Sequence, residues 1–589
     1  MALKGRNLLS SLFASSRSSL TCTYKCGNAC FGECENKSDN PYFGDQFSRR
    51  TALRAGSLSV VTVGGGAALA ACSNPDDASN EASSSEGKGG KTSEANVELT
   101  SAEGMKFDPV QPNEKDEVVI PDGYEQSVLI AWGDPLFKDA PEFDDKNQTA
   151  EAAEKQFGFN NDFAGLIEHP DDDNRLIYVC SHEYTTEPQM FPNYDADNPT
   201  EEQAKIGWAG HGHSIVEVSK VGNTGELKRE FGPLNRRITA TTEFTLVGPA
   251  AGSDYVKTSA DKTGKKVKGT LNNCSGGITP WNTMLSGEEN FDQYFAHANL
   301  DDKKAQESLE RFGMEDGESQ RKWERFDKRF DVSKEPNEPN RFGWIVEINP
   351  LDPKSTPVKH TALGRFKHEA GNIHIASDGT VVCYSGDDSR FEYIYKFIST
   401  KKYKEGDIEH NLTILDHGTL YVAKVEGNSP ADEIDGSGVL PEDGAFDGEG
   451  KWIKLLTSDT ENNKFESHVD GMTAEEVCIY TRIAGDKVGA TRMDRPEDIE
   501  PSPKTGKVYA ALTNNKYRGK ASPDSSGKTQ DNKAAKKTDG AGRPYEGATE
   551  VAPITENKNG LVLEMEDDHA GTKGKWNLLL VCGDPNEAY

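Results

Sequence analysis

Four segments of this chain repeat one arrangement of residues, and the repetition limits its possible folds more than any other feature. Each segment begins with a polar or acidic group, continues through two short apolar stretches, and ends in further acids or amides. The segments span residues 160–183, 272–290, 367–388 and 495–515. Three contain a clear turn sequence, HPDDDN, SDG or SPKTG, and such turns between strands of about five residues predict β-hairpins. Because the paired strands are of similar length, we expect both polar groups of a segment at one sheet edge.

Further strands are predicted between and after these hairpins. Alternating apolar and polar residues occur at 213–221, 341–350, 392–399 and 559–567, and apolar runs occur near 419–425 and 576–581. A hydrophobic fraction of 34% with 57 glycines also fits a loop-rich β protein. Radial repeats of irregular length predict an all-β fold, a β-propeller whose inner strands converge on a central channel. The insertions 301–340 and 518–547 are expected to be a charged, helix-like surface excursion and a mobile loop, respectively.

The leading positions of the hairpins include Cys274, Glu369 and Glu497, which as a set are poor turn formers. In a propeller these side chains would crowd around one axis, and carboxylates tolerate such crowding when cations lie between them. Oxygen ligands suit Ca²⁺, whereas a thiolate favours iron or another transition metal. Two plainer interpretations stay open: polar strand ends as turn chemistry, and Cys274 as a buried cysteine in an ordinary loop.

The cysteine pattern leaves at least one thiol of the main body unpaired. Five cysteines follow residue 72, at wide spacings and in odd number: Cys180, Cys274, Cys383, Cys478 and Cys582. This is no disulfide framework. Cys274 is the candidate for the free, metal-binding thiol.

Several chemistries are disfavoured by what the sequence lacks. It contains no G-x-S-x-G elbow, no Walker-type phosphate loop and no H-E-x-x-H motif. Its net charge of −31 argues against nucleic acid as a partner. Carboxylate-rich metal sites remain, and these hydrolyse phosphate esters by clamping the phosphoryl oxygens. Arginine binds phosphate in a bidentate manner, so Arg495, close to Glu497, and Arg390 are the candidate substrate-binding residues.

The N-terminal region is predicted to have three parts: a pre-region, an export signal and a linker. Residues 1–48 form a pre-region with four cysteines at 22, 26, 30 and 34. Residues 49–72 resemble a twin-arginine (Tat) export signal, in which Arg49 and Arg50 precede a weakly apolar run. Its lipobox-like end makes Cys72 a candidate for lipidation; a membrane anchor is the alternative, although the run is short for spanning. Residues 73–104 are predicted to be a flexible linker before a domain at 105–589.

From about residue 107 onwards the chain resembles the PhoX family of bacterial alkaline phosphatases. The resemblance rests on NNCSGGITPWNTMLSGEENF (272–291), GRFKHE (364–369), YSGDDSRFEYIYKF (384–397) and TRMDRPEDIEP (491–501), supported by SHEYT (181–185) and the export signal. It implies a six-bladed propeller holding Fe³⁺ and Ca²⁺ and hydrolysing phosphomonoesters outside the cytoplasmic membrane. By the same resemblance Cys274 and Glu289 bind iron, Glu369 and Glu497 complete the iron and calcium shells, and Arg495 holds the substrate phosphate. Glu183 and Asp387 are further ligand candidates.

One departure from the family pattern concerns the C-terminus. Family members continue past the strand at 576–582, so we expect the propeller to be incomplete here, with its closing blade missing. Two other functions are kept as alternatives: a calcium-dependent propeller lactonase or esterase, and a non-catalytic, lipid-anchored binding propeller. The protein is expected to be a monomer whose partners are small phosphate esters, as substrates, and the Tat export machinery.

Overall fold

The computed structural model describes residues 108, 110, 111, 113, 115–520 and 539–583. The features predicted for the N-terminal segments, including Arg49, Arg50 and Cys72, and most of the insertion 518–547 lie outside these residues. The described residues between 108 and 127 contain neither helix nor strand. All regular structure described below therefore lies after residue 127.

The described chain is built from β-strands, which confirms the all-β prediction. The strands are β1 (Asn161–Glu168), β2 (Arg175–His182), β3 (Gly212–Lys220), β4 (Leu227–Arg229), β5 (Arg236–Ile238), β6 (Glu243–Val247), β7 (Lys266–Lys268), β8 (Asn273–Ile278), β9 (Met284–Glu288), β10 (Ile345–Ile348), β11 (Val358–His360), β12 (Asn372–Ile375), β13 (Thr380–Gly386), β14 (Ile394–Lys402), β15 (His417–Gly427), β16 (Asp447–Asp459), β17 (Lys464–Ser467), β18 (Pro496–Pro501), β19 (Val508–Leu512), β20 (Leu561–Asp567) and β21 (Lys573–Val581).

The α-helices of the described residues are short, and the longest of these have ten residues. They are α1 (Ala150–Ala153), α2 (Glu187–Met190), α3 (Glu201–Gly210), α4 (Lys303–Phe312), α5 (Ile408–Asn411), α6 (Ala474–Ile479) and α7 (Thr481–Val488). Within the described ranges, no helix has the length and apolar character needed to cross a bilayer.

The strands form three sheets in which the four predicted hairpins occupy the edges. The first sheet has the order β1-β2-β3-β4, with β5 also paired to β3. The second has the order β7-β6-β11-β10-β9-β8. The third has the order β12-β13-β14-β15-β16-β21-β20-β19-β18, with β17 also paired to β16. The hairpins β1-β2, β8-β9, β12-β13 and β18-β19 are all antiparallel, as predicted.

The leading strands of the hairpins lie beside one another. Strand β1 contacts β8, β8 contacts β12, and β12 contacts β18. This is the arrangement expected of the inner strands of a propeller, where each sheet presents one edge to a shared axis. The six-blade count and the closing blade stay predictions.

Two glycines allow these hairpins to approach closely. A Cβ atom on Gly287 would lie 2.2 Å from the carbonyl oxygen of His368, and one on Gly386 would lie 2.4 Å from the carbonyl oxygen of Glu497. Any side chain at either position would push two hairpins apart. The absence of a side chain thus permits the backbone contacts that bring the polar hairpin ends together.

The insertion 301–340 is helix-like as predicted, but it is not a surface excursion. It contains α4 and three 3₁₀ turns, and Trp323 and Phe330 are fully buried in the main hydrophobic core. Burying an aromatic side chain of this size contributes about 2–3 kcal/mol. Part of its charge is also neutralised inside the protein, since Arg311 forms a buried ion pair with Glu392. The sequence shows these charges but not their distant partners, and for that reason it suggested a solvated segment.

A buried histidine joins the second sheet to the third. His360, at the end of β11, lies with Nδ1 2.8 Å from Asp416 Oδ1 and Nε2 2.9 Å from Glu347 Oε2. Burial alone lowers the pKa of His360, but the two carboxylates outweigh burial and raise it to about 10. His360 is therefore an imidazolium at neutral pH, and its charge compensates two buried acids.

We expect His360→Gln to lower the stability of the protein by about 3 kcal/mol at neutral pH, because it removes one partner of a buried ionic group. The folded-state pKa of about 10 lies above the ordinary value of 6.5. The stabilisation is therefore complete below pH 6.5 and is lost as the pH rises through about 10. Thermal unfolding midpoints across this range should fall less steeply in His360→Gln than in the wild type. His410→Gln, at a partly exposed site, is the control, and equal slopes in all three proteins would contradict the assignment.

Candidate metal centre

Seven side chains from the four hairpins form what we call the thiol–carboxylate cluster. They fall into three overlapping groups, and within each group the potential ligand atoms lie within 4.8 Å of one another. The groups are Asp162, Glu183 and Cys274; then Cys274, Glu289 and Glu369; then Glu369, Asp388 and Glu497. Because Cys274 and Glu369 each belong to two groups, the cluster is one continuous row of potential ligands.

Three of the hairpins direct a leading side chain into the cluster by the same backbone device. In each, a residue with positive φ stands two positions before the cluster residue: Asn160 (52°), Asn272 (50°) and Arg495 (57°). The cluster residue then lies where the strand register shifts, between 161 and 164, 273 and 276, or 496 and 499. A β-bulge re-aims the side chain at its position. The cluster residues placed in this way are Asp162, Cys274 and Glu497.

The returning strands are tied to the same positive-φ residues. The backbone N–H of Glu183 donates to the carbonyl of Asn160 at 3.1 Å, and that of Glu289 donates to the carbonyl of Asn272 at 2.9 Å. These bonds fix the trailing acid of each hairpin beside the leading residue. The sequence pattern of polar groups at both ends of a hairpin thus becomes a pair of adjacent ligands in the structure.

The thiol lies among carboxylates and away from solvent. Cys274 is fully buried, and its Sγ donates to Glu369 Oε1 at 3.0 Å and to Asp162 Oδ2 at 3.7 Å. Glu183, Glu289 and Glu369 are also buried. Cys274 lies close to Glu289 and Glu369, as expected from the hairpin pattern, and Glu497 lies close to Glu369 at the far end of the row.

Arg495 lies at that far end. Its Nη2 donates to Asp388 Oδ2 at 2.5 Å and to Glu497 Oε1 at 3.0 Å. Burial lowers the pKa of Arg495, but Asp388 and Glu497 outweigh this effect, and the pKa is raised overall. The side chain is therefore a permanent cation held against the cluster.

Arg390, the second predicted substrate-binding residue, lies near Arg495. Its backbone pairs with that of Asp494, and its Nη2 donates to Asn514 Oδ1 at 2.9 Å. Burial and the neighbouring charge of Arg495 lower the pKa of Arg390. The structure thus places two guanidinium groups at one end of the cluster.

Asp387 is the one predicted ligand that the structure keeps out of the cluster. It is fully buried, and its Oδ2 and Oδ1 accept from Arg482 Nε and Nη2 at 2.8 and 2.5 Å. The adjacent Asp388 enters the cluster instead. Successive side chains of extended backbone point to opposite sides, so only one acid of this pair can reach the metal centre.

The acid pair Glu288 and Glu289 behaves in the same way. Glu288 turns away from the cluster and accepts from Lys359 Nζ at 2.7 Å, whereas Glu289 faces the cluster. Each facing acid lies two residues after a close-approach glycine, Gly287 or Gly386. That spacing is a signal by which the sequence identifies Asp388. Asp162 is the other cluster residue that the sequence analysis omitted. It occupies the same bulge position in the first hairpin as Cys274 does in the second.

Comparison with known proteins agrees with this geometry. The family model described as alkaline phosphatase PhoX matches residues 105–589. A solved structure of Pseudomonas fluorescens PhoX in complex with vanadate, a transition-state analogue, is similar at 40% identity and a TM-score of 0.68, covering 81% of this chain and 76% of that chain. A search of curated proteins gives no match. Fold, site and comparisons define a metal-dependent hydrolase of phosphate monoesters. The chain belongs to the PhoX family of alkaline phosphatases.

Proposed function

We propose that the thiol–carboxylate cluster holds Fe³⁺ and Ca²⁺ as the cofactors of phosphomonoester hydrolysis. The donor set supports this choice, because it joins one thiol to six carboxylates. A thiolate favours a transition metal, whereas carboxylate oxygens suit calcium. Cys274 and Glu289 are assigned to iron, and Glu369 and Glu497 to both kinds of ion. The remaining oxygen ligands are Glu183, Asp162 and Asp388.

The electrostatics of the cluster support multivalent cations. Arg495 brings one positive charge to a row of six carboxylates, most of them buried. Carboxylates within a few ångströms of one another cannot all ionise in a buried site unless opposite charge is supplied. Metal ions with two or three positive charges each would compensate several of these carboxylates.

In this proposal the protein side chains bind and orient the phosphate. Bound multivalent ions would supply charge neutralisation on the phosphoryl oxygens as the P–O bond breaks. The Arg495 guanidinium is oriented by Asp388 and Glu497. From that position it would donate hydrogen bonds to the phosphate oxygens. Arg390 adds a second positive charge on the same side.

The observation that carries the proposal is the 3.0 Å contact between Cys274 Sγ and Glu369 Oε1, with Glu289 in the same group. Elemental analysis of the purified protein, combined with phosphate release from p-nitrophenyl phosphate, tests it. Iron together with calcium, and phosphate release, are expected. Calcium without iron would favour the calcium-dependent lactonase or esterase. A metal-free, inactive protein would favour a non-catalytic binding propeller.

We also propose that the protein works outside the cytoplasmic membrane as a monomer. The twin-arginine motif at Arg49 and Arg50 supports export by the Tat machinery, and the lipobox-like sequence ending at Cys72 supports a lipid anchor. Arg49→Lys/Arg50→Lys is expected to retain the protein in the cytoplasm, as measured by cell fractionation. Normal export of this variant would refute the assignment. Palmitate labelling that disappears in Cys72→Ser tests the anchor.

A further inference from the structure

A second group of cations lies near Arg495. Lys516 Nζ lies 5.3 Å from the centroid of the Tyr517 ring, and Arg390 Cζ lies 5.6 Å from the same centroid. Burial and the charge of Arg390 lower the pKa of Lys516. Arg390 is thus close enough to both Arg495 and Lys516 to interact with their charges, and both Arg390 and Lys516 are less buried than Arg495.

Arg390 and Lys516 differ from nearby cations in having no described carboxylate within ion-pair distance. In the part of the chain that the structure describes, neither forms an ion pair with a carboxylate. Arg390 Nη2 donates to the neutral Asn514, and Arg390 Nε is buried without a hydrogen-bond partner. By contrast, Arg492 is paired with Asp539, and Arg518 with Asp494. Asp388 and Asp494 offset the charge of Arg390 only in part, since its pKa is lowered overall. Two neighbouring cations repel each other where no carboxylate contacts them directly, and a bound anion would relieve that repulsion.

Stacked rings hold this group in place. Tyr517 stacks on Tyr545 with centroids 5.0 Å apart, and Tyr545 stacks on Phe391, next to Arg390, at 5.7 Å. The loop that carries Lys516 begins beside the cluster, since the Thr513 hydroxyl donates to Glu497 Oε1 at 3.3 Å. The cations are thus fixed relative to the metal centre. Lys516 and Tyr517 are half-buried and remain open to a ligand.

We propose that Arg390 and Lys516 form a subsite for a second anionic group on the alcohol portion of the substrate. The inference rests on the proposed function, because Arg495 must hold the scissile phosphate for the leaving group to lie near Arg390. A carboxylate or a second phosphate placed a few atoms from the ester oxygen would meet both cations. The preferred substrates are then phosphomonoesters of acidic alcohols rather than of neutral ones.

A matched pair of substrates tests this subsite. Glycerol 3-phosphate and 3-phosphoglycerate have similar carbon skeletons, and only the second carries a carboxylate. Lys516→Met removes the charge and keeps an unbranched side chain beside Tyr517. We expect the ratio of kcat/KM for 3-phosphoglycerate over glycerol 3-phosphate to fall about fivefold or more in this variant, as for loss of one charge-assisted contact. Lys520→Met, in the same loop but paired with Glu556, is the control and should leave the ratio unchanged.

Binding to the metal-loaded protein separates this subsite from the proposed reaction. Calorimetric titration with methylenediphosphonate and with methylphosphonate requires no turnover. Lys516→Met should weaken binding of the diphosphonate selectively. Equal weakening of both ligands, or of neither, would overturn the subsite even if the enzyme hydrolyses phosphate esters. Selective weakening in a protein that hydrolyses neither glycerol 3-phosphate nor 3-phosphoglycerate would instead contradict the proposed function.

Discussion

Replacing Cys274 by serine is expected to remove iron from the protein and to lower kcat/KM for p-nitrophenyl phosphate by more than about 100-fold. Changes to residues that merely support metal ligands typically cost 10–100-fold, and here a proposed ligand itself is changed. Serine has a similar size and keeps a donor for Glu369 and Asp162, so the fold should survive. A hydroxyl, however, does not replace a thiolate as a soft ligand.

The control for this experiment is Cys582→Ser, because Cys582 is a free thiol outside the cluster. Iron content is measured by elemental analysis, and folding by thermal unfolding. Cys582→Ser should keep both its iron and its activity. A Cys274→Ser protein with full iron content would refute the assignment of the thiol. Full activity with calcium alone would point to the calcium-dependent hydrolase instead.

Replacing Arg495 by alanine is expected to lower kcat/KM by about 10²–10³-fold, equivalent to about 3–4 kcal/mol, as for loss of a positioned donor to a developing anion. Arg495→Lys should lose less, since lysine keeps the charge but cannot bind phosphate through a fork of two N–H groups. Inhibition by inorganic phosphate should weaken in the same order.

Arg325→Ala is the control for the arginine variants, because Arg325 forms a partly exposed ion pair with Glu318. Its kinetics should match the wild type. If Arg495→Ala lowers kcat/KM but leaves the inhibition constant of phosphate unchanged, Arg495 does not bind the phosphate. Its contacts to Asp388 and Glu497 would then serve only to arrange the cluster.

The hairpins and most of the cluster could be predicted from the sequence because their signals are local. A turn with strands of similar length brings two chain ends together, and polar residues at those ends identify the edge. The PhoX resemblance then assigned Cys274, Glu289, Glu369 and Glu497. The packing of the hairpin ends depends in addition on Gly287 and Gly386, whose role appears only in three dimensions.

The choice between Asp387 and Asp388 depends on a distant residue. Arg482 is far along the chain, and its guanidinium binds Asp387 in the interior. The spacing from Gly386 favours Asp388, but no local pattern reports the contact that holds Asp387 in the interior. The burial of Trp323 in the insertion 301–340 could not be predicted for the same reason, since its ring stacks on Tyr294 at 4.9 Å, outside the insertion. Local sequence shows which residues could be ligands or core residues, and long-range packing determines which of them take that position.

The division of the ligands among the hairpins affects when the protein can acquire its metal. No described hairpin contributes more than two members of the thiol–carboxylate cluster. A chain whose hairpins have not docked therefore offers these ligands only singly or in pairs, and the set of seven is complete once all four hairpins have docked. A metal that binds the assembled ligands and not the unfolded chain stabilises the native state. The metal content of a sample should therefore report the fraction of molecules that have folded completely.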